Sequence, residues 1–404
     1  MNSHENQEQV KRRRVFYIPG YDPIHPRRYR ELYRSEGAAQ SALSGYQISV
    51  SAKMGDGPFG WHVHSEQDGT EVETQIQVLV WSDIVRHSMS NSVVATYVQL
   101  VRTAWIYLAS GTFGRLMRLR KGPVIAALYP LAMLVFQLAV ALAIAWGIWK
   151  GGSQFFDLFA IAPAILMFCL LLRWFQKIDN KLFAYYLMHD YAYSASLKGE
   201  TPAALRKRMA EFTELIRQAL VTDVDEVLVV GHSSGAHIGV SVLADVIRSA
   251  PDTGFRPALS FLSLGQVVPM VSFLPNAKEL RTDLQFLSVQ YNLTWVDVSA
   301  PGDGCSFALC DPVGVSGVAT ESKKWPLVLS AAFTQTLSPE RWQALRWRFF
   351  RLHFQYLCAF DRVGAYDYFR ITAGPQSLAQ RFRGRNSSKS RIDIAVSKHR
   401  TVML

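Results

Sequence analysis

The feature that most constrains the fold is a short strand, turn and helix around Ser233. Residues 227–230 are an unbroken run of Val and Leu, which predicts a buried strand. The sequence Gly231-His232-Ser233-Ser234-Gly235 follows directly. Beyond it, apolar residues fall on one face of a predicted helix: Ile238, Val240, Val242, Leu243 and Val246. A buried strand that turns into an amphipathic helix is typical of α/β folds, so we predict that class.

Ser233 is the candidate nucleophile of this turn. Gly231 and Gly235 indicate a turn so sharp that side chains at those positions would clash with the strand and the helix. The first turn of the helix leaves backbone N–H groups free, and that of Ser234 lies where an oxyanion would form. Because the motif is short, it also occurs by chance. The strand before it and the helix after it favour a catalytic serine.

The strand, the Gly-His-Ser-Ser-Gly motif and the helix together resemble the nucleophile elbow of the α/β-hydrolase superfamily. The resemblance implies a mostly parallel sheet flanked by helices, and a triad in the chain order serine, acid, histidine. It also implies a second oxyanion donor in a turn after an early strand. Residues 15–18 predict such a strand, and the next turn offers the backbone N–H of Gly20 or Tyr21. The alternative is an ordinary strand-ending turn.

The acid of this triad should follow one of the later strands. Asp297 lies within the strand predicted at residues 293–298, whereas Asp303 lies in a turn just beyond it. Residues 295–303 also resemble the acid-bearing loop of membrane-associated, lipase-like serine hydrolases. We therefore predict Asp303 before Asp297, with Asp311 third. The remaining candidates are Asp245 and Asp283, which belong to predicted helices, Asp252 and three glutamates.

The histidine of the triad has two candidates downstream of the acid, His353 and His399. His399 lies in a segment rich in Ser and Arg, while His353 lies among aromatic residues typical of ordered structure. We predict His353 as the base that takes the proton of Ser233, with Asp303 fixing its tautomer. The alternative is a hydrogen-bonded core histidine.

Two apolar runs interrupt the predicted hydrolase domain. Residues 122–149 contain no charged residue, and as a helix they would span about 42 Å, more than the ~30 Å hydrocarbon core. The run at residues 155–175 spans only if Asp157 and Arg173 reach the interfaces. We predict a two-helix transmembrane hairpin that turns at residues 151–154. The alternative is a hydrophobic hairpin buried in an enlarged lid or a dimer interface.

The flanking charges predict the orientation of this hairpin. The strand before Gly20 and the turn at Ser233 should belong to one sheet, so the number of crossings is even. Basic residues flank the hairpin, against Lys150 alone in its connector: Arg115, Arg118, Arg120, Lys121, Arg173, Lys177 and Lys181. The positive-inside rule then places both halves of the catalytic domain in the cytoplasm, on an inner or plasma membrane.

The chain is thus divided into four segments. Residues 1–114 form the N-terminal part of the hydrolase domain with the oxyanion turn, and residues 115–177 form the hairpin. Residues 178–375 carry the nucleophile, the acid and the base. Residues 376–404 are basic and lack a dense apolar pattern, which predicts a disordered tail. Residues 93–108 predict a helix that lies either in the membrane interface or in the core. Residues 180–198 predict a further helix, and residues 74–81 predict a strand.

The composition of the chain limits the classes of molecule that it is expected to bind. A hydrophobic fraction of 49%, a mean hydropathy of +0.07 and a net charge of +11 favour an anionic lipid bilayer over nucleic acid, of which no binding module is visible. The four cysteines fit no zinc spacing and are interpreted as reduced packing residues. No metal or other cofactor is predicted, and the oligomeric state stays open.

These patterns predict a membrane-anchored serine hydrolase. It would cleave a carboxylic ester, of a lipid or another amphipath, through Ser233, His353 and Asp303 and an acyl-enzyme. The alternative is a non-catalytic membrane scaffold that keeps the fold without a working triad.

Overall fold

The computed structural model describes residues 9–53, 57–89, 92–154, 157–249 and 257–403. Asp252, one of the candidate acids, and the start of the second apolar run lie outside these ranges. The described strands are β1 (Arg12–Ile18), β2 (Gln47–Ala52), β3 (Gly60–Gln67), β4 (Thr70–Val78), β5 (Glu226–His232), β6 (Ala258–Leu264), β7 (Leu293–Ser299) and β8 (Leu327–Ser330).

These strands form one sheet in the order β2-β3-β4-β1-β5-β6-β7-β8. The pairs β2–β3 and β3–β4 are antiparallel, and all the other neighbours are parallel. The predicted α/β class with a mostly parallel sheet is therefore confirmed. β1 pairs directly with β5, as the sequence argument on one shared sheet requires.

Helices connect and cover the strands. They are α1 (Arg27–Ser44), α2 (Ser82–Ser88), α3 (Val93–Ala109), α4 (Thr112–Leu116), α5 (Lys121–Ser153), α6 (Asp157–Lys177), α7 (Asp179–Leu182), α8 (Ala184–Ala195), α9 (Ala203–Leu220), α10 (Gly235–Arg248), α11 (Val268–Ser272), α12 (Lys278–Ser288), α13 (Pro312–Ser316), α14 (Phe333–Thr336), α15 (Pro339–Leu345), α16 (Phe349–His353), α17 (Tyr368–Ala373) and α18 (Leu378–Arg381), with a 3-10 turn at Phe354–Leu357.

The core occupies both faces of the sheet. Along β1, Val15 and Tyr17 belong to one buried apolar cluster, and Phe16 and Ile18 belong to another. This alternation is the two-residue period of a strand that is covered on both sides. The five apolar residues predicted on one face of the helix after Ser233 are all buried. The local pattern thus fixes how α10 packs on the sheet.

A buried ion pair closes the amino end of the sheet. Arg13 Nε lies 2.6 Å from Glu226 Oε2, and both side chains are fully buried. The other oxygen of Glu226 accepts hydrogen bonds from Ser260 Oγ at 2.6 Å and from Leu378 N at 2.8 Å. Arg13 also donates to the carbonyl of Gly374 at 2.8 Å. The pair therefore joins β1, β5, β6 and the C-terminal segment.

The two apolar runs form paired helices. α5 continues through the residues where a turn was predicted, and the chain leaves it only at Gln154. α5 and residues 159–177 of α6 are long and apolar enough to cross a membrane. Only 17% of the most apolar window of each is buried, which is unlike a core helix. Near its middle, α5 packs on α8 through Leu134, Tyr185 and Met188.

α3 presents two different faces. Leu100, Ile106 and Tyr107 are buried against the body of the protein. The opposite face exposes apolar side chains at helical spacing: Val94, Val98, Val101, Trp105 and Leu108. The helix therefore packs on the protein by one side and leaves an apolar stripe on the other.

Three sequence predictions need correction. The disorder predicted for residues 376–404 is wrong for the described residues 376–403: Ile392 N donates to Leu309 O at 2.8 Å, and Val396 is buried. Backbone hydrogen bonds to residues distant in sequence hold this segment in place. The segment itself has no apolar pattern from which these contacts could be predicted. The helix predicted at residues 180–198 is broken at Phe183, which has φ +57°. The strand predicted at residues 74–81 ends at Val78.

Candidate active site

The site lies at the carboxyl ends of β1 and β5. From β1 the chain continues to β2, β3 and β4, which lie on one side of β1 in the sheet, whereas β5 lies on the other side of β1. Open α/β sheets bind ligands in the crevice at such a switch point. A Cβ added to Gly20, just after β1, would lie 3.0 Å from Ser233 Cβ and 3.4 Å from its Oγ. The structure therefore brings the predicted oxyanion turn and the predicted nucleophile together.

Ser233 occupies a strained turn. Its φ is +56°, a left-handed conformation that is unfavourable for a residue other than glycine. Its backbone N–H donates to Leu264 O at 2.9 Å, which holds the turn against β6. A Cβ on Gly231 would lie 2.7 Å from Gly235 O, and one on Gly235 would overlap the Ile18 carbonyl. Both glycines are thus required by close approach of the backbone.

Asp303 and His353 form a buried pair. His353 Nδ1 lies 2.7 Å from Asp303 Oδ2. Asp303 also accepts hydrogen bonds from the Tyr356 hydroxyl at 3.0 Å and from Cys305 N at 2.9 Å. Burial alone would raise the pKa of Asp303, but the charge of His353 and the hydrogen bonds from His353 and Cys305 N bring the pKa below its usual value. Asp303 is therefore a carboxylate that orients the imidazole.

The second nitrogen of His353 has no partner. Among the described residues, no group forms a hydrogen bond with the buried His353 Nε2 or with Ser233 Oγ. The His353 ring and the Ser233 backbone both lie at the end of β6: a Cβ on Gly265 would lie 3.1 Å from His353 Cε1, and Ser233 N donates to the carbonyl of the adjacent Leu264. With Nδ1–H donating to Asp303, Nε2 is left as the acceptor that a general base needs.

His232, inside the predicted elbow motif, contacts the predicted base His353. Its Nε2 donates to the His353 carbonyl at 3.0 Å, and the two rings are 4.7 Å apart. Burial, helped by the charge of His353, lowers the pKa of His232 to about 3. His232 is therefore neutral at ordinary pH and adds no charge beside the base. The sequence analysis missed this role, although the position of His232 next to Ser233 was a usable signal.

The turn after β1 is held firmly. Trp81 Nε1 donates to Pro19 O at 2.9 Å, and Asp22 accepts hydrogen bonds from Ile24 N at 2.9 Å and from the Tyr29 hydroxyl at 2.6 Å. These bonds fix the backbone of Gly20 and Tyr21 between them.

The two predicted sets of oxyanion donors face the same crevice. Within the described ranges, the backbone N–H groups of Tyr21 and Ser234 donate to no other residue. Tyr21 and Ser234 also line one shared cavity. Preorganised N–H groups of this kind are what an oxyanion hole requires.

The other candidate acids have different partners. Asp297 lies inside β7 and accepts from Ser263 Oγ at 2.6 Å. Asp311 caps α13 through Val313 N and pairs with Lys323. Asp245 and Asp283 both pair with Arg248. Among the described candidates, Asp303 alone contacts a histidine. His399 contacts the Ser110 carbonyl at 3.3 Å instead of an acid.

One group of side chains has the composition of a metal site. Ligand atoms of Asp303, Cys305 and His353 lie within 4.8 Å of one another. Burial raises the pKa of the Cys305 thiol, which disfavours the thiolate that metals bind. Asp303 already accepts three hydrogen bonds. This donor set therefore favours a hydrogen-bonded network over an ion.

Compared with known proteins, the chain matches no family model, no curated protein and no solved structure. Function is therefore inferred from the residues of this chain. In the described part of the chain, their arrangement offers a hydroxyl on a strained turn, an imidazole with one unpaired nitrogen, an ionised acid behind it and unused N–H groups nearby.

Proposed function

We propose that this protein is a membrane-anchored serine hydrolase of the α/β-hydrolase type that cleaves a carboxylic ester. The observation that carries the proposal is the Asp303–His353 pair at 2.7 Å. Its Nε2 has no partner among the described residues and lies at the carboxyl end of the sheet, where Ser233 occupies its strained turn. An acid, a base and a hydroxyl in these roles define a triad on any fold.

In this mechanism Ser233 Oγ attacks the ester carbonyl while His353 Nε2 takes its proton. The Asp303 carboxylate balances the imidazolium that forms. The oxyanion accepts hydrogen bonds from the backbone N–H of Ser234 and of Gly20 or Tyr21. His353 then returns the proton to the departing alcohol. A water molecule, activated by the same histidine, hydrolyses the acyl-enzyme.

The site lies beside the end of the apolar hairpin at which α5 begins. A Cβ on Gly122, in the first turn of α5, would lie 3.2 Å from the Cα of Gly304, the residue after the acid. On α16, Phe350 stacks on Phe183 with 4.8 Å between ring centroids. Trp347, next to this helix, is 73% exposed. A site among exposed aromatic side chains at the foot of a membrane anchor favours an amphipathic ester over a water-soluble one.

Hydrolysis of p-nitrophenyl butyrate by the purified full-length protein tests this function. We expect Ser233→Ala to lower kcat/KM by about 10³-fold or more, because the nucleophile is lost. Ser234→Ala is the matched control: it removes a neighbouring hydroxyl but keeps the backbone N–H, and should stay within about fivefold of wild type. Equal activity of Ser233→Ala and wild type would contradict the proposal. An inactive, well-folded wild type would favour the scaffold alternative.

We further propose that the hairpin spans the membrane with both catalytic halves in the cytoplasm. The basic flanks and the even number of crossings support this orientation. In a variant with Cys169 replaced, Gly151→Cys should react with a membrane-impermeant maleimide in intact cells. Val221→Cys, on a residue that is 86% exposed, should react only after lysis. Reaction of both residues from the same side would contradict a spanning hairpin.

A further inference from the structure

A small cavity adjoins the proposed oxyanion hole. It has a volume of about 40 Å³, and its lining includes Tyr21, Asp190, Tyr193, Ser234 and His237. One water molecule needs roughly 10–15 Å³ of such space, so the cavity holds about three water-sized groups. Tyr21 and Ser234 are also the proposed oxyanion donors. The acyl side of a bound ester would therefore extend into this cavity, which suits a short chain.

Asp190, on α8, is the most unusual group of the lining. No described residue donates a hydrogen bond to its carboxyl group. The titratable groups that interact with it electrostatically are Tyr21, Tyr107, Tyr186, Tyr191, Cys305 and His353. Burial raises the pKa of Asp190 to about 7, against a smaller lowering by the charge of His353. Near neutral pH much of it is a protonated acid that both donates and accepts.

His237 adds a second polar group without a partner. It follows the elbow in α10, and its Nδ1 is buried without a hydrogen bond from or to a described residue. Burial lowers the pKa of His237 to about 4, so the ring is neutral at ordinary pH. Leaving a buried polar group unpaired is destabilising, and such groups gather at functional sites. The buried His237 Nδ1 and the half-buried Asp190 carboxyl group line one cavity, which indicates a ligand with hydrogen-bonding atoms.

We propose that this cavity binds a short acyl group that carries a hydroxyl, with Asp190 as the specificity-determining residue and His237 as a second hydrogen-bonding group. The inference rests on the proposed function and names its substrate class: the ester of a short hydroxy acid with an amphipathic alcohol. The apolar alcohol would then lie towards the exposed aromatic residues Trp347 and Phe349, on the hairpin side of the triad.

The test compares p-nitrophenyl 3-hydroxybutyrate with p-nitrophenyl butyrate, using the purified full-length protein. Wild type should prefer the hydroxylated ester in kcat/KM. Asp190→Leu should lower this preference about 10- to 100-fold while butyrate hydrolysis stays within about threefold, because only the hydroxyl loses its partner. Asp190→Asn, which keeps hydrogen-bonding atoms, should retain most of the preference. Glu214→Gln, an exposed acid outside the lining of this cavity, is the control and should leave the preference unchanged.

The outcomes separate this inference from the proposed function. If wild type cleaves butyrate without preferring the hydroxylated ester, the inference fails and the hydrolase stands. Equal losses on both esters in Asp190→Leu and Asp190→Asn would assign Asp190 to folding or turnover and would also overturn it. If wild type cleaves neither ester, the proposed function itself fails.

Discussion

The two ends of β5 have opposite chemistry. At its beginning, both oxygens of the buried Glu226 are engaged by Arg13, Ser260 and Leu378. Directly after its end, about 20 Å away at ~3.3 Å per residue, Ser233 has a strained backbone and a hydroxyl that bonds to no other group in the described part of the chain. The strand is buried throughout. The strand itself is thus buried at both ends, and what distinguishes Glu226 from the half-buried Ser233 is that the polar atoms of Glu226 are all hydrogen-bonded.

This difference separates stability from function. Fully paired buried groups hold elements together and have no capacity left for a ligand. Unpaired groups cost free energy in the folded protein, and they offer hydrogen bonds to a substrate. We therefore expect substitutions at the amino end to change stability without changing turnover, and those at the carboxyl end to do the reverse.

The largest effect is expected at the carboxyl end. Asp303→Asn should lower kcat by about 10³- to 10⁴-fold with little change in KM, because asparagine favours the wrong tautomer of His353. Steady-state kinetics on a small ester, together with a thermal melt, measure both properties. A variant that keeps a tenth of the wild-type kcat would remove Asp303 from the triad.

At the amino end, Glu226→Gln should lower the free energy of unfolding by about 3–5 kcal/mol, because it leaves the buried guanidinium of Arg13 without its counter-ion. The folded fraction should keep its kcat. Glu279→Gln is the matched control, since it breaks an exposed pair with Arg206 and should cost less than about 1 kcal/mol. A large loss of kcat in folded Glu226→Gln protein would contradict the expectation that substitutions at the amino end of β5 change stability without changing turnover.

A smaller, pH-dependent effect is expected at Asp297 in β7. Burial raises its pKa from 3.8 to about 7, so between these values the folded protein holds a proton that the unfolded chain releases. Wild-type stability therefore falls as the pH rises through this window, and Asp297→Asn removes that loss. The free energy of unfolding of the variant, relative to wild type, should rise by about 2–4 kcal/mol between pH 4 and pH 8. A difference that stays constant with pH would mean that Asp297 titrates normally.

Much of the fold followed from local patterns. The run at residues 227–230 and the apolar face after Gly235 predict β5 and α10. This is possible because the side-chain periods of strands and helices are visible in residues that are close together in sequence. Asp303 was preferred because it follows a strand instead of lying inside one. The structure places it against His353 as predicted.

The remaining features depend on contacts between distant parts of the chain. Residues 376–403 pack on the body through backbone hydrogen bonds to residues such as Leu309, which leave no apolar signature in the segment itself. Asp190 precedes His353 by more than 160 positions, and its helix had the pattern of an ordinary connector. Only the folded chain shows that Asp190 and the elbow line one cavity.

The central claim is that Ser233 is an activated nucleophile at the carboxyl end of the sheet. A fluorophosphonate reacts covalently with such serines, and peptide mass spectrometry locates the adduct. We expect one adduct on Ser233, formed in wild type and Ser234→Ala, absent from Ser233→Ala and much slower in Asp303→Asn. An adduct on another residue, or none on correctly folded wild-type protein, would contradict the account.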